Sequence, residues 1–215
     1  MTNLQHLQRR LGFAGGREDV AFYQRHYAAW FPAGGRVLDV GCGEGVFLEH
    51  LKASGLETTG VDSSPDDVAA ARARGIDVVQ EDALTFLARS PRAFEGIFCA
   101  HVIEHLPTDA AVRLIEHMRD ALTPGGRAIV ITPDPRDLEV ITERFWLDLT
   151  HVRPYPEVLL VALFRELGFR VLAHGNDPRS ARRTSWKNWP MHLFQRLRFG
   201  RHGYRGDVFV VAERA

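Results

Sequence analysis

The sequence has little of what defines several classes of protein. Two cysteines in 215 residues are too few for a disulfide framework, and they favour a reducing compartment. No apolar run approaches the roughly 18 residues that a membrane span needs, and the first residues lack the apolar core of a secretory signal. An apolar content of 45% is too high for a disordered chain. We therefore expect a folded cytoplasmic protein.

The chain also lacks a net charge, with 27 basic and 27 acidic residues, but these charges are unevenly distributed. The segment 178–206 contains eight basic residues, no acidic residue and several aromatic ones, so the rest of the chain is acidic. Overall neutrality therefore does not exclude an anionic partner. Three interpretations of this segment stay open: contact with the inner membrane surface or a lipid-linked substrate, contact with nucleic acid, or packing on the domain or a second copy.

Strand-like and helix-like segments alternate along the chain. Strands are predicted over 37–40, 58–61, 76–79, 96–100, 127–132, 169–173 and 208–212. Helices are predicted over 18–31, 44–54, 65–74, 109–122 and 156–167. Strands separated by helices indicate an α/β fold with a parallel sheet, although the last two strands, with no helix between them, can pair antiparallel. We expect one domain over 1–215, with 133–155 as a lid over the cleft and 178–206 as an insertion before the last strand.

The most informative segment is a predicted strand, 37–40, followed by the glycine-rich loop 41–45. Glycines adopt positive φ and let the backbone approach a ligand, and the helix that follows offers free N–H groups. Asp62 ends the second predicted strand, 21 residues after Gly41, where a carboxylate can accept both hydroxyls of a ribose. Asp82 follows the third strand and could hold an adenine amino group. The alternative is a structural glycine turn beside solvated acids.

With the Thr-Pro-Gly-Gly turn at 123–126, these features resemble the class I S-adenosylmethionine-dependent methyltransferases. The resemblance covers about residues 18–175 and the closing strand. It implies a Rossmann-like, seven-stranded, mostly parallel sheet with the last strand antiparallel and helices on both faces. It also implies S-adenosylmethionine as the cofactor. The cofactor-binding residues that it implies are Asp39, Gly41, Cys42, Gly43, Gly45, Asp62, Ser63, Asp82, Ala83 and His101.

Two groups of polar residues follow the fourth and fifth predicted strands. His101, Glu104 and His105 form the first group, and Asp148 and His151 belong to the second. Because open α/β sheets bind ligands at the carboxyl ends of their strands, both groups should face one cleft. In one interpretation His151 or His105 is a general base, and Asp148 orients His151.

Two other interpretations of these residues stay open. In one, His101, Glu104, His105 and His151 bind a divalent metal that orients substrate oxygens. That pattern is similar to the metal site of small-RNA 2′-O-methyltransferases and some quinone-precursor O-methyltransferases, with His101 in place of their first Glu. In the other, the side chains only brace the loops, and residue 101 acts through its backbone. We expect S-adenosylmethionine as the cofactor, and a divalent metal in addition only under the first of these two interpretations.

The stretch 148–155 is similar to one in bacterial methyltransferases encoded with cell-surface glycan assembly. The predicted function is therefore O-methylation of a sugar, a lipid-linked glycan or another small-molecule hydroxyl. Arg153, Tyr155 and Trp146 are the predicted substrate contacts, since Arg153 could pair with a substrate anion or, equally, with an acid of the protein. The alternatives are a metal-dependent RNA 2′-O-methyltransferase and a non-catalytic regulatory protein that binds S-adenosylmethionine.

Overall fold

The computed structural model describes residues 16–138, 140–177, 179, 193 and 206–215. Seven strands form one sheet in the order β3-β2-β1-β4-β5-β7-β6. The strands are β1 (Arg36–Val40), β2 (Glu57–Asp62), β3 (Val78–Gln80), β4 (Phe94–Ala100), β5 (Leu122–Pro133), β6 (Phe169–Asn176) and β7 (Asp207–Arg214). Of the predicted insertion 178–206, only Arg179, Leu193 and Gly206 are among the described residues, so its predicted contacts lie outside them.

The pairing of the strands confirms the predicted α/β fold. Five strands run parallel to one another in the order β3, β2, β1, β4 and β5. Strand β7 is antiparallel to both of its neighbours, β5 and β6. Strands β1 to β6 consequently all end at the same edge of the sheet. Strand β7 begins at that edge, between the ends of β5 and β6.

Helices connect these strands. They are α1 (Arg17–Gln24), α2 (Val46–Ala53), α3 (Pro65–Arg72), α4 (Ala83–Ala88), α5 (Thr108–Ala121), α6 (Phe145–Leu147) and α7 (Glu157–Glu166). Short 3-10 helices cover Arg25–Trp30 and Ile103–His105, and a π-helix covers Val140–Arg144. No helix in the described part of the chain has both the length and the apolar character to cross a membrane.

Three elements differ from the sequence prediction. The predicted helix 18–31 is divided into α1 and a 3-10 helix. Helix α4 was not predicted, because its six residues are too few to show a helical repeat and the N-cap signal of Asp82 was overlooked. Strand β5 begins at Leu122 rather than 127, since Leu122 already pairs with Phe94 and the Thr-Pro-Gly-Gly segment is accommodated by a shift in register.

The core lies in two layers, one on each face of the sheet. Alternate residues of β1 point to opposite faces, so Val37 packs in one layer and Leu38 in the other. The layer containing Leu38 includes side chains of α4, α5 and α7, and the layer containing Val37 includes side chains of α2, α3 and the segment before β1. The predicted helices on both faces of the sheet are therefore confirmed. The edge of the sheet at which β1 to β6 end lies between these two layers.

Candidate active site

The loop between β1 and α2 forms a tight backbone cradle at the carboxyl edge. Gly41, Gly43 and Gly45 have φ values of 68°, 52° and 74°, in the left-handed region that glycine adopts readily. A Cβ at Gly41 would lie 2.4 Å from Cγ2 of Val102, so the loop after β4 packs directly against this cradle. A Cβ at Gly43 would meet nothing within 4 Å. Position 43 therefore faces open space, as close approach of a ligand to the backbone requires.

Asp62 holds the cradle from the end of β2. Its two carboxylate oxygens accept hydrogen bonds from the backbone N–H groups of Gly43 and Ser64, each at 2.8 Å. A carboxylate has about four acceptor sites, so two donors leave capacity for the hydroxyls of a ribose. Ser63, also predicted to contact the cofactor, is exposed beside it.

Two further predicted residues lie beneath the cradle. Asp39 is buried, with 4% of its surface exposed, and burial and the charge of Asp62 raise the pKa of its carboxyl well above the usual range. The Cys42 thiol faces the sheet, since a Cβ at Gly60 would lie 2.6 Å from its Sγ. Burial raises the pKa of this thiol, and the charges of Asp39 and Asp62 raise it further. Cys42 is therefore held as a neutral packing group.

Asp82 and Ala83 lie at the start of α4. Asp82 is the N-cap residue, and its Oδ1 accepts hydrogen bonds from the backbone N–H of Thr85 at 3.0 Å and from the Thr85 hydroxyl at 3.2 Å. The carboxylate is exposed, and Ala83 packs partly against the core. The side chain predicted to hold adenine thus also fixes the first turn of the helix.

The segment before β1 is fastened to the cradle by Arg17. Its guanidinium lies 3.4 Å from the Glu44 carboxylate and 2.8 Å from that of Glu49 on α2. Arg74 also lies 3.4 Å from Glu44. Arg17 was not among the predicted residues, because 27 residues separate it from its partner Glu44 and no motif joins them.

His101 follows β4 and has a positive φ of 56°, which is uncommon for a residue other than glycine. Its Nδ1 lies 3.3 Å from Oε1 of Glu104, and its Nε2 lies 3.7 Å from Oδ2 of Asp207. Loss of hydration lowers the pKa of the imidazole, but the carboxylates of Asp207 and Glu104 outweigh this and raise it to about 9. His101 is therefore a cation between two acids at neutral pH.

Glu104 joins three segments of the site, although none of its surface is exposed. Its Oε2 accepts a hydrogen bond from the Thr132 hydroxyl at 3.0 Å, and its backbone carbonyl accepts one from the Val152 N–H at 2.8 Å. Burial raises the pKa of its carboxyl, but the hydrogen bond and charge of His101 outweigh burial and lower it. The buried carboxylate thus stays ionised and joins the ends of β4 and β5, and the backbone carbonyl of Glu104 joins them to the predicted lid, 133–155.

His105 and His151 meet across the cleft, with ring centroids 4.5 Å apart. The ring of His151 stacks on Phe145 at 4.3 Å, and its Nδ1 lies 2.7 Å from the Phe145 carbonyl oxygen. Because a carbonyl only accepts, Nδ1 carries the hydrogen, and Nε2 carries the lone pair of the neutral ring. Burial is the main cause that lowers the pKa of His105. His105 is therefore neutral near pH 7.

We predicted that Asp148 orients His151. In the structure the ring of His151 is held by Phe145, whereas Asp148 accepts two hydrogen bonds from Thr150, which lies beside His105. Asp148 is half-buried, and burial raises the pKa of its carboxyl, but the hydrogen bonds from Thr150 outweigh this and lower it. Asp148 is therefore a carboxylate of the predicted site that is linked to His105 through the Thr150 hydroxyl.

Three of the four predicted metal ligands come together. Glu104, His105 and His151 each offer a ligand atom within 4.8 Å of the others. His101 lies outside this group, and its Nδ1 is already paired with Glu104. Two imidazole nitrogens and one carboxylate oxygen match the preferences of several divalent metals.

The structure places the predicted substrate contacts in three different environments. Trp146 is 56% exposed on the lid, and its Nε1 donates to the Ile141 carbonyl at 2.7 Å. Arg153 donates to the Thr108 hydroxyl at 3.0 Å, and its guanidinium lies 5.0 Å from the centre of the Tyr155 ring. Tyr155 is 1% exposed, so its ring belongs to the core, and its hydroxyl has no hydrogen-bond partner among the described residues.

The lid residues 133–155 also present apolar side chains to the solvent. Leu138, Trp146, Leu149 and Val152 are between 38% and 60% exposed. Phe145, by contrast, is buried, with 1% of its surface exposed, and its ring stacks on that of His151. The predicted lid thus has one aromatic side chain buried in the protein and four apolar side chains exposed to solvent.

A family profile described as "Methyltransferase domain" matches residues 13–174. The chain belongs to this family. The predicted resemblance to methyltransferases is therefore confirmed. The matched range contains the glycine cradle, Asp62, Asp82 and both histidine groups.

Curated relatives and solved structures support this assignment. The chain is 37% identical over 106 residues to a ubiquinone biosynthesis O-methyltransferase of Xylella fastidiosa (strain 9a5c), which covers 46% of this chain and 42% of that protein. A protein of the same name from Xanthomonas axonopodis pv. citri (strain 306) is 32% identical over 107 residues, covering 47% and 44%. The chain thus matches less than half the length of these relatives.

Solved structures share the fold over nearly the whole chain. A SAM-dependent methyltransferase from Archaeoglobus fulgidus superposes with a TM-score of 0.82 at 24% identity, covering 99% of this chain and 100% of that one. An S-adenosylmethionine-dependent methyltransferase from Mesorhizobium loti gives 0.65 at 21% identity, covering 94% and 100%. These similarities establish the fold of the methyltransferase family.

Proposed function

We propose that this chain transfers a methyl group from S-adenosylmethionine to a hydroxyl of a small molecule. The proposal rests on the contact between the glycine cradle and the loop after β4, which contains His101 and His105. Gly41 lies against Val102, three residues before His105, which in turn meets His151. A neutral imidazole therefore lies at the same edge of the sheet as the cradle.

The residues at the cradle fit the cofactor. Gly43 leaves free space above the backbone, and Asp62 presents a fixed carboxylate that would bind the ribose hydroxyls. Asp82 and Ala83, which follow the adjacent strand β3, would lie beside the adenine, and the buried Asp39 would lie beside the methionine part. When bound, S-adenosylmethionine supplies an electrophilic methyl group on its sulfonium.

The residues of this chain supply alignment and proton removal. Nε2 of His151 would accept the proton of the acceptor hydroxyl, while S-adenosylmethionine would supply the methyl group to the hydroxyl oxygen, with cleavage of its S–CH3 bond, and would leave as S-adenosylhomocysteine. The Nδ1–H of His151 stays bound to the Phe145 carbonyl, which keeps the ring in place as it becomes a cation. The buried carboxylate of Glu104 and that of Asp148 stabilise this positive charge.

The acceptor class follows from the lid and the relatives. The two relatives named above are ubiquinone biosynthesis O-methyltransferases. Exposed apolar side chains on the predicted lid favour an acceptor that carries an apolar part, and a lipid-linked glycan is one such molecule. We further propose a cytoplasmic enzyme whose basic segment 178–206 contacts a membrane surface or the lipid of the substrate.

Binding and turnover test this proposal separately. We expect calorimetry to show binding of S-adenosylhomocysteine, with weaker binding by Asp62→Ala and unchanged binding by Asp66→Ala, an exposed acid on α3. We expect His151→Ala to lower turnover of a hydroxylated acceptor pool by about 100-fold or more, with unchanged product affinity. Absence of binding would exclude the cofactor, and full turnover by His151→Ala would exclude His151 as the base. Turnover itself excludes a purely regulatory binding protein.

The group formed by Glu104, His105 and His151 supports a second candidate, a metal-dependent methyltransferase such as an RNA 2′-O-methyltransferase. The two candidates differ in their response to a chelator. The base mechanism predicts unchanged turnover in excess EDTA. Loss of turnover with EDTA, restored by Mg²⁺, Mn²⁺ or Zn²⁺, would instead support the metal site.

A further inference from the structure

We propose that Thr150 is a positioning residue, whose hydroxyl fixes His105 as the tautomer with hydrogen on Nδ1 and a lone pair on Nε2. This role in turnover rests on the proposed function, but the tautomer is a property of the protein alone. The similarity of the stretch 148–155 gave Thr150 no role of its own, because 45 positions separate it from His105 in the sequence. The inference comes from three short contacts that share one hydroxyl.

The contacts form a chain from a carboxylate to an imidazole. Oδ1 of Asp148 lies 2.8 Å from the backbone N of Thr150 and 2.7 Å from its Oγ1. The same Oγ1 lies 2.8 Å from Nδ1 of His105. All three distances are those of well-formed hydrogen bonds.

Counting hydrogens fixes the direction of each bond. A threonine hydroxyl has one hydrogen, and an ionised carboxylate can only accept. The hydrogen of Oγ1 must therefore point to Asp148, since otherwise two oxygens with facing lone pairs would lie 2.7 Å apart. The hydroxyl then has only lone pairs to offer His105, so Nδ1 must be the donor.

As a consequence, the rings of His105 and His151 have the same tautomer. His151 has its Nδ1–H on the Phe145 carbonyl, and His105 has its Nδ1–H on Thr150, so both Nε2 atoms carry lone pairs. The ring centroids are 4.5 Å apart. An acceptor hydroxyl that reaches either ring through Nε2 would therefore meet a hydrogen-bond acceptor and not a donor.

Nuclear magnetic resonance tests the tautomer without any substrate. Long-range ¹⁵N–¹H spectra of histidine-labelled protein distinguish the two tautomers, and the spectrum of His105→Gln identifies the signals of His105. We expect Nδ1–H in the wild type and in Thr150→Ser, and a shift towards Nε2–H in Thr150→Val. Thr142→Val is the matched control, because the Thr142 hydroxyl donates to the Leu138 carbonyl in the same lid. Nε2–H in the wild type, or an unchanged tautomer in Thr150→Val, would overturn the proposal.

Turnover tests the positioning role. We expect Thr150→Val to lower kcat by about tenfold with unchanged affinity for S-adenosylhomocysteine, and Thr150→Ser to restore kcat. In a His105→Gln background, Thr150→Val should have no further effect, because its action passes through that ring. Additive losses would contradict the role of Thr150 even if the tautomer is correct. Thr150→Ala replaces the valine variant in both tests if valine impairs folding.

Discussion

Alanine at Gly43 should separate cofactor binding from protein stability. The new Cβ would meet no atom of the described residues within 4 Å, so the folded chain bears only the strain of a left-handed alanine, about 1–2 kcal/mol. A bound cofactor that approaches this backbone would, however, collide with the methyl. Overpacking of that kind costs about 1–3 kcal/mol, which weakens binding roughly 5-fold to 150-fold. Calorimetry with S-adenosylhomocysteine measures the affinity, and urea unfolding measures the stability.

Gly55→Ala provides the matched control for this experiment. Gly55 has a φ of 79° after the end of α2, and its added Cβ would also meet nothing within 4 Å. The strain should therefore be the same, whereas affinity for the cofactor product should be that of the wild type. Equal affinity in Gly43→Ala and Gly55→Ala would refute the assignment of the cradle as the cofactor site.

Two further predictions concern the buried charges. Glu104→Gln should lower the free energy of unfolding in urea by about 1 kcal/mol, because the His101 cation loses its buried anionic partner but is itself 47% exposed and partly screened by water. The pKa of His101 is raised from 6.5 to about 9, so its stabilisation is complete below pH 6.5 and is lost as pH rises through 9. The stability difference between wild type and His101→Gln should therefore shrink across that window.

Each of these predictions has a clear contrary result. A loss below about 0.5 kcal/mol in Glu104→Gln would mean that the carboxylate is not ionised in the folded protein. A stability difference that stays constant from pH 6.5 to 9 would mean that His101 is neutral over this range. Titration of the His101 ring by nuclear magnetic resonance checks the midpoint directly.

The fold was predictable from the sequence where local patterns determine it. The strand, glycine loop and helix from 37 to 54 follow from β-branched residues, turn glycines and helical spacing. Helix α4 was missed although its signal was visible, since Asp82 and Thr85 have the spacing of an N-cap. We interpreted Asp82 only as a ligand. The lid helices 140–147 show no regular spacing and arise from burial of Phe145.

The site was predictable where neighbouring parallel strands bring residues together. Asp62 lies beside the cradle because β1 and β2 are adjacent, and His101 follows the next strand. The contacts made by hydroxyl groups were not predictable. Thr132 is 28 residues from Glu104, and a hydroxyl gives no sequence pattern that names its partner. The burial of Tyr155 was equally hidden, since a tyrosine suits both a core and a binding surface.

The antiparallel strand β7 gives this fold a place at which it can be extended. Strand β6 ends and β7 begins at the carboxyl edge, where the Asp177 N–H donates to the Asp207 carbonyl at 2.8 Å. This hydrogen bond holds together the two ends of the segment that connects β6 to β7. The cost of closing a longer loop grows only slowly with its length. Evolution or a protein engineer can thus exchange the connecting segment without altering the register of the sheet.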